Sequence, residues 1–325
     1  MKKTLSRIGL LLGVTAAIAL PQMSFAQNYP AKQVRIIVPH GAGSSPDVAT
    51  RLIAQRLTER LGQSFFIDNR AGAGGSIGMG AIAKSPNDGY TLGIGHIGTL
   101  TINPSVYAKL PYDPVKDFTP IMQTVKTPLL VVVSEASPYK SIADVVAAAK
   151  ANPGKLTFSS AGNGTASHMA GEYFKTLAGV SVTHIPFRSA PDALLGVASN
   201  DVTLTFGGQP SAWPLVRGKR LRALALTSDV RMKEFPEVPV VAETLKGYEV
   251  FDWNGFIAPA GTSPEIVAKL HNEITDILKQ PELEKQFLDQ GLIPVKNTPA
   301  QFQKFIESER QKWGRVAKQV NIQLD

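Results

Sequence analysis

Two turns of one design constrain this chain more than any other feature. The first follows the apolar run Val34–Val38 and reads Pro39-His40-Gly41-Ala42-Gly43-Ser44-Ser45-Pro46-Asp47. The second follows Leu156–Phe158 and reads Ser159-Ser160-Ala161-Gly162-Asn163-Gly164-Thr165-Ala166-Ser167-His168. Each passes from a strand, through glycines and hydroxyl side chains, into the start of a helix. A helix start offers unpaired backbone N–H groups and the positive end of a dipole, a combination that suits an anion. Neither turn carries the Lys of a nucleotide-phosphate loop. Two such turns, far apart in one chain, point to a clamp for a small carboxylate.

The first residues set the compartment. Lys2, Lys3 and Arg7 precede the apolar run Ile8–Leu20, which is short for a membrane span, and Ser24-Phe25-Ala26 supplies small residues for a signal peptidase. Residues 1–26 are expected to be a signal peptide cleaved after Ala26, giving an exported product. The remaining 299 residues are enough for two lobes. Three of the positive charges behind the net +8 lie in the leader, leaving +5 on scattered side chains. A nucleic-acid partner would want those charges clustered, so none is expected. The chain has no cysteine, which excludes disulfides, thiol catalysis and thiolate metal sites. Its five histidines show no metal-ligand spacing, and no metal or cofactor is expected.

Strand-like runs alternate with helical patterns, the signature of an α/β protein with mainly parallel sheet. The runs are Val34–Val38, Phe65–Asp68, Thr91–Ile94, Leu129–Val133, Leu156–Phe158, Val182–Ile185, Val202–Phe206, Leu221–Leu226 and Gly255–Ala258. Ser45-Pro46, Ser263-Pro264 and Thr298-Pro299 read as an N-cap followed by proline at the first helical position, and Ser141 with Asp144 as a further cap. Asn103–Pro128 is punctuated by proline and lacks periodicity, as a crossing between lobes would be. A return crossing is expected around Asp252-Trp253. The lobes are therefore read as 27–126 with 253–325, and 127–252, with a hinged cleft between them.

Two catalytic patterns match weakly. Gly93-Ile94-Gly95-His96-Ile97-Gly98 fits a dinucleotide fingerprint but runs into Pro104 instead of a long helix. Gly74-Gly75-Ser76-Ile77-Gly78 fits a hydrolase nucleophile elbow, yet Asn69–Ala73 separates Ser76 from its strand, and the late partner would have to be His271. An exported serine hydrolase using Ser76 is thus the rival reading. Asp47, His40 and His168 have no spacing that enforces acid–base chemistry and are read as structural or ligand-contacting. Arg188 follows the strand Val182–Ile185 just before a helix, where α/β proteins bind ligands, and its planar fork suits a carboxylate. An exposed arginine paired with a nearby acid is the equal alternative. Phe187 and Phe206 are candidate apolar walls.

Taken together, these residues resemble the substrate-binding proteins of the tripartite tricarboxylate transporter system, the TctC-like Bug receptors. The resemblance runs over the whole mature chain. It rests on Tyr29-Pro30-Ala31-Lys32, Asp68–Gly78, Asn87-Asp88-Gly89-Tyr90-Thr91-Leu92, Ala151–Leu156, Ser160–Thr165, Leu221–Ala225, Val238-Pro239 and Ala258-Pro259-Ala260-Gly261-Thr262. It implies a two-lobed periplasmic receptor, closing like a flytrap on a small organic anion and serving a membrane permease or acting as a sensor.

By the same resemblance, one ligand carboxylate is held by the two turns, matched here by His40–Asp47 and Ala161–Thr165. The pocket is completed by His96–Thr99 and Phe187–Ala190. Four departures fall at this pocket. His40 replaces an aromatic residue, Ser44 a glycine, Arg188-Ser189 a lysine–glycine pair, and Gly207 an aspartate.

The expected function is that of a monomeric, non-catalytic periplasmic receptor for a mono- or dicarboxylate, aromatic ones included. Its primary cradle is expected from Ala42, Gly43, Ser44, Ala161, Gly162 and Thr165. His40, Asp47, His96, Thr99, Asn163, His168, Phe187, Arg188, Ser189, Ala190 and Gly207 are expected around it.

Overall fold

The computed structural model describes residues 29–324. The leader and its cleavage after Ala26 lie outside the described residues. The first stretch runs β1 (Val34–Val38), α1 (Ser45–Leu61), β2 (Phe65–Asn69), α2 (Ser76–Ala83), β3 (Thr91–His96), a π-helical turn at Gly98–Ile102, α3 (Asn103–Val106) and β4 (Phe118–Pro128). The middle runs β5 (Leu130–Ser134), α4 (Ile142–Ala151), β6 (Thr157–Ser160), α5 (Ala166–Ala178), β7 (Thr183–Pro186), α6 (Ala190–Ala198), β8 (Leu204–Gly207), α7 (Gln209–Arg217) and β9 (Leu221–Leu226). The last stretch is β10 (Phe251–Pro259), α8 (Pro264–Ile277), α9 (Pro281–Leu288), β11 (Ile293–Pro294) and α10 (Pro299–Gln319).

Two sheets result, with strand orders β11-β4-β10-β3-β1-β2 and β7-β6-β8-β5-β9. The α/β architecture is as read, but strand direction within it is mixed. β1 pairs in parallel with β2 and β3, and β6 with β7 and β8, because each of these strands is followed by a helical crossover. β10 runs antiparallel to β3 and β4, and β5 antiparallel to β8 and β9. Only Leu129 separates β4 of the first sheet from β5 of the second, and the chain returns to the first sheet in β10. The Asn103–Pro128 segment is thus not an irregular crossing: from Phe118 onward it is a strand paired along the whole of β10.

β1 is buried on both faces, with Ile36, Ile37 and Val38 fully enclosed, as a parallel strand covered by helices should be. Trp253 of β10 and Trp313 of α10 donate their indole N–H groups to the same Glu309 carboxylate at 3.0 and 3.1 Å. This fixes α10 against the crossing strand. Thr227 ties the two crossings together. Its hydroxyl accepts from the Leu129 N–H at 2.7 Å and donates to the Val250 carbonyl at 2.6 Å.

Candidate functional site

The first turn is held from behind by Asp47. Its carboxylate accepts from the Gly43 N–H at 2.8 Å, from the Asn69 amide at 2.8 Å and from Arg51 at 2.9–3.0 Å. Desolvation pushes this carboxyl up, and the hydrogen bonds from Arg51, Gly43 and Asn69 outweigh it, so the net shift is downward. Ser44, not Ser45, is the N-cap residue of α1, and Pro46 sits one position further into the helix than the sequence reading put it. The Ser44 hydroxyl donates back to the Gly41 carbonyl at 2.7 Å. Ser45 is left with a buried hydroxyl that has no hydrogen-bond partner among the described residues.

The second turn is built alike. Thr165 caps α5 through the His168 N–H and donates to the Gly162 carbonyl at 2.6 Å. The Ser167 hydroxyl accepts from the Ala161 N–H, and His168 Nδ1 from the Gly164 N–H.

Between the turns lies an inner cavity of about 470 Å³ of empty space, counting what opens to solvent. The starts of four helices reach its lining: Ser44, Ser45 and Pro46 at α1, Thr165, Ala166 and Ser167 at α5, Ala190 at α6, and Gly207 and Gly208 before α7. The backbone N–H groups of Ser45, Ala166, Ser167 and Ala190 have no acceptor among the described residues. A Cβ at Gly208 would come within 2.5 Å of the Ser45 hydroxyl oxygen and force that hydroxyl to turn away. A side chain at 207 would press on Leu194 at 2.9 Å. Where an aspartate was the expectation for relatives, this chain therefore has Leu194 filling the space.

His40 and His96 complete the lining, with their Nε2 atoms 3.0 Å apart. The Gly98 N–H donates to His96 Nδ1, so neutral His96 carries its proton on Nε2 and donates to His40 Nε2. His40 then holds its own proton on Nδ1. Burial lowers the His40 ring to about 4, and burial followed by the neighbouring His40 lowers His96 further below its ordinary value. The pair is a neutral, directional donor system at neutral pH.

Asp252, on the returning strand, also lines this cavity, and burial pushes its carboxyl up to about 7 against the lowering pull of the Trp253 N–H.

A wider outer cavity of about 930 Å³, again including space open to solvent, shares His40, Ala161 and Thr165 with the inner one. Gly72–Gly75, Tyr107, Gly162, Asn163, Phe187 and Arg188 line it. Among the described residues Arg188 makes no ion pair, so no acid stands beside it as the alternative reading had it.

Of the residues expected from sequence, His40, Ser44, His96, Ala161, Thr165, Ala190 and Gly207 meet at the inner cavity, and Gly162, Asn163, Phe187 and Arg188 at the outer. Ala42, Gly43, Asp47, Thr99, His168 and Ser189 line neither. Asp47 and the Gly43 N–H are spent on each other, and Thr99 is tied to the His96 backbone. His168 stacks on His184 behind the turn, and Ser189 caps α6. Ser45 and Asp252 line the cavity without having been singled out for it. Ser45 was hidden by its reading as a cap, and Asp252 by lying in a crossing.

Among the described residues Ser76 and His271 each bond to other partners. The Ser76 hydroxyl accepts from the Asn103 amide at 3.4 Å, while His271 Nε2 on α8 lies 3.0 Å from the Asn297 carbonyl. β3 leads into the π-helical turn and the four-residue α3, not into a long phosphate-binding helix.

This fold, two sheets joined by paired crossings with helix starts around one cavity, is that of the periplasmic solute-binding proteins. Within that class the chain belongs to the tripartite tricarboxylate transporter receptor family, whose sequence profile matches residues 49–322. Protein BugT of Bordetella pertussis is 34% identical over 328 aligned residues, covering 100% of this chain and 99% of that protein. The R. palustris protein Rpa4515, solved with adipate, aligns with a TM-score of 0.89 at 35% identity over 91% of this chain and 99% of its own. MatC from Rhodopseudomonas palustris, solved with bound malate, aligns with a TM-score of 0.84 at 29% identity over 89% and 99%.

Proposed function

We propose that this receptor captures a small dicarboxylate in the periplasm and delivers it to tripartite tricarboxylate-type permease subunits, without chemistry of its own. The observation that carries the reading is the pairing of two chambers. The inner one offers free helix-start N–H groups beside the neutral His40–His96 pair. The outer one offers the unpaired Arg188 guanidinium. One carboxylate is held by oriented backbone donors in the inner chamber, and the distal carboxylate meets Arg188. Adipate and malate in the two solved relatives support this ligand class. The lobes are taken as 27–126 with 253–325, and 127–252, and the change of sheet around Leu129 supports that division. Export after cleavage at Ala26 and action as a monomer complete the proposal.

Thermal-shift and calorimetric titration with a carboxylate panel tests it. A ligand that binds only the native state raises the melting temperature with concentration. Adipate or malate is expected to do so, and Arg188→Ala to weaken dicarboxylates by about 1–3 kcal/mol while sparing monocarboxylates. No stabilisation by any carboxylate, together with ester turnover lost in Ser76→Ala, would transfer the chain to the hydrolase reading.

A further inference from the structure

We propose that Asp252 contacts the ligand in the inner cavity and meets its carboxylate as a neutral acid that donates a hydrogen bond, so that capture of the anion takes up one proton. The proposal rests on the receptor reading above and adds to it a residue and a proton.

The geometry leads there by elimination of partners. Among the described residues Asp252 is the one acidic side chain on the inner lining, and no Lys or Arg lines that chamber. An anion seated on the free N–H groups of Ser45, Ala166 and Ala190 would share one cavity with this half-buried carboxyl. Two like charges there cannot both stay ionised at low cost, and one proton between them turns repulsion into a charge-assisted hydrogen bond.

The groups around Asp252 offer no competing neutraliser. On the lining, His40 and His96 are neutral and bonded to each other. On β4, Thr127 is the residue paired with Asp252, and the next residue, Lys126, places its ammonium over the Phe251 ring at 4.9 Å. From α10, Glu309 is taken by the indole N–H groups of Trp253 and Trp313. The carboxyl is half-buried, and desolvation raises it to about 7. Modest further desolvation by a ligand is enough to keep it protonated when the site is filled.

The sign follows from linkage. Well below pH 7 the free protein already holds the proton, and the Asp252 contribution to affinity is flat. Above pH 7 binding must draw a proton from solvent, and the dissociation constant rises about tenfold per pH unit until the bound-state value is passed.

The test is calorimetry of the full mature chain with adipate and with malate from pH 6 to pH 9, in buffers of different ionisation enthalpy. Uptake approaching one proton per ligand at pH 8, and a flat profile without uptake in Asp252→Asn, are the expected results. If that variant does not fold, absence of uptake in wild type still overturns the proposal, and uptake retained in His40→Gln excludes the histidine pair as its source. Binding with no proton uptake and a flat wild-type profile overturns the role of Asp252 and leaves the receptor reading intact. Uptake undiminished in a folded Asp252→Asn assigns the proton to the His40–His96 pair and overturns it too. Tight binding confined to an amino dicarboxylate such as aspartate, without uptake, means that an ionised Asp252 pairs with the ammonium. No binding of either acid at pH 6, in wild type and variant alike, is instead the failure of the receptor reading.

Discussion

Ser45 has a hydroxyl that is enclosed by protein and bonded to nothing, on the wall of the inner cavity. An orphaned polar group costs stability, and it recovers that cost only when a partner arrives. Ser45→Ala is therefore expected to leave the free protein as stable as wild type or slightly more so. It should also weaken carboxylate binding by about 1–2 kcal/mol, read by paired melting and titration experiments. Equal losses in both would make Ser45 an ordinary structural residue.

Asp47 should show the opposite pattern, because its partners all lie within the protein. Asp47→Asn is expected to destabilise the fold by about 1–3 kcal/mol at pH 7. Since the folded carboxyl is held below its ordinary value, that stabilisation is present above the usual carboxyl range and fades as pH falls through the folded value. Denaturation curves of the two proteins should accordingly converge in acid. At this scale the sequence exposed which segments matter but not which atoms face inward. The cap falls at Ser44 and not Ser45, a one-residue difference that the pattern does not resolve and that leaves the Ser45 hydroxyl without a partner among the described residues. The His40–His96 contact joins residues whose spacing carries no signal.

The βα units were legible because their physics is local. β1 and β6 are enclosed by helices and read as apolar or small-residue runs, and each ends in a glycine-rich turn with a hydroxyl residue at the N-cap position, which caps through its side chain at Thr165. Ser141, Ser263 and Thr298 cap their helices through side-chain hydrogen bonds as the sequence patterns indicated. β4 was not legible, because its buried positions include Gln123, Thr124 and Thr127, which break any apolar alternation. Their partners come from distant segments: Thr124 bonds Asn254, and Thr127 donates to the Gly291 carbonyl at 2.7 Å. The same remoteness hides Thr227, whose hydroxyl couples the two crossings.

Thr227→Val keeps the shape while leaving the Leu129 N–H and the Val250 carbonyl short of a partner in a buried place. Although the Val250 N–H donates to the Thr227 carbonyl in either protein, the cross-link between the strands is thinned. The expected cost is about 1–3 kcal/mol, with amide exchange at Leu129 accelerated well beyond that in the sheet centres. A neutral substitution would mean that the crossings are held by packing alone.

Seen across the whole molecule, the two sheets meet around the site through few polar bridges. The Tyr107 hydroxyl donates to the Asn163 carbonyl at 3.2 Å, and the Ser211 hydroxyl to the Gly43 carbonyl at 2.5 Å. Tyr107 lines the outer cavity, so its removal would mix ligand contact with closure. Ser211 lines neither cavity and separates the two effects. If binding requires the arrangement in which these bridges are made, the apparent dissociation constant is the intrinsic one divided by the population of that arrangement. Losing one hydrogen bond worth about 0.5–1.5 kcal/mol then weakens binding about two- to tenfold. The factor must be common to every ligand, because the bridge is indifferent to what fills the cavity. Ser211→Ala is thus expected to shift adipate and malate affinities by the same ratio, with selectivity unchanged and a larger radius of gyration in solution scattering of the free protein. A change in the ratio between the two acids would place Ser211 in ligand recognition, and no change in either would mean that the bridge does not govern closure.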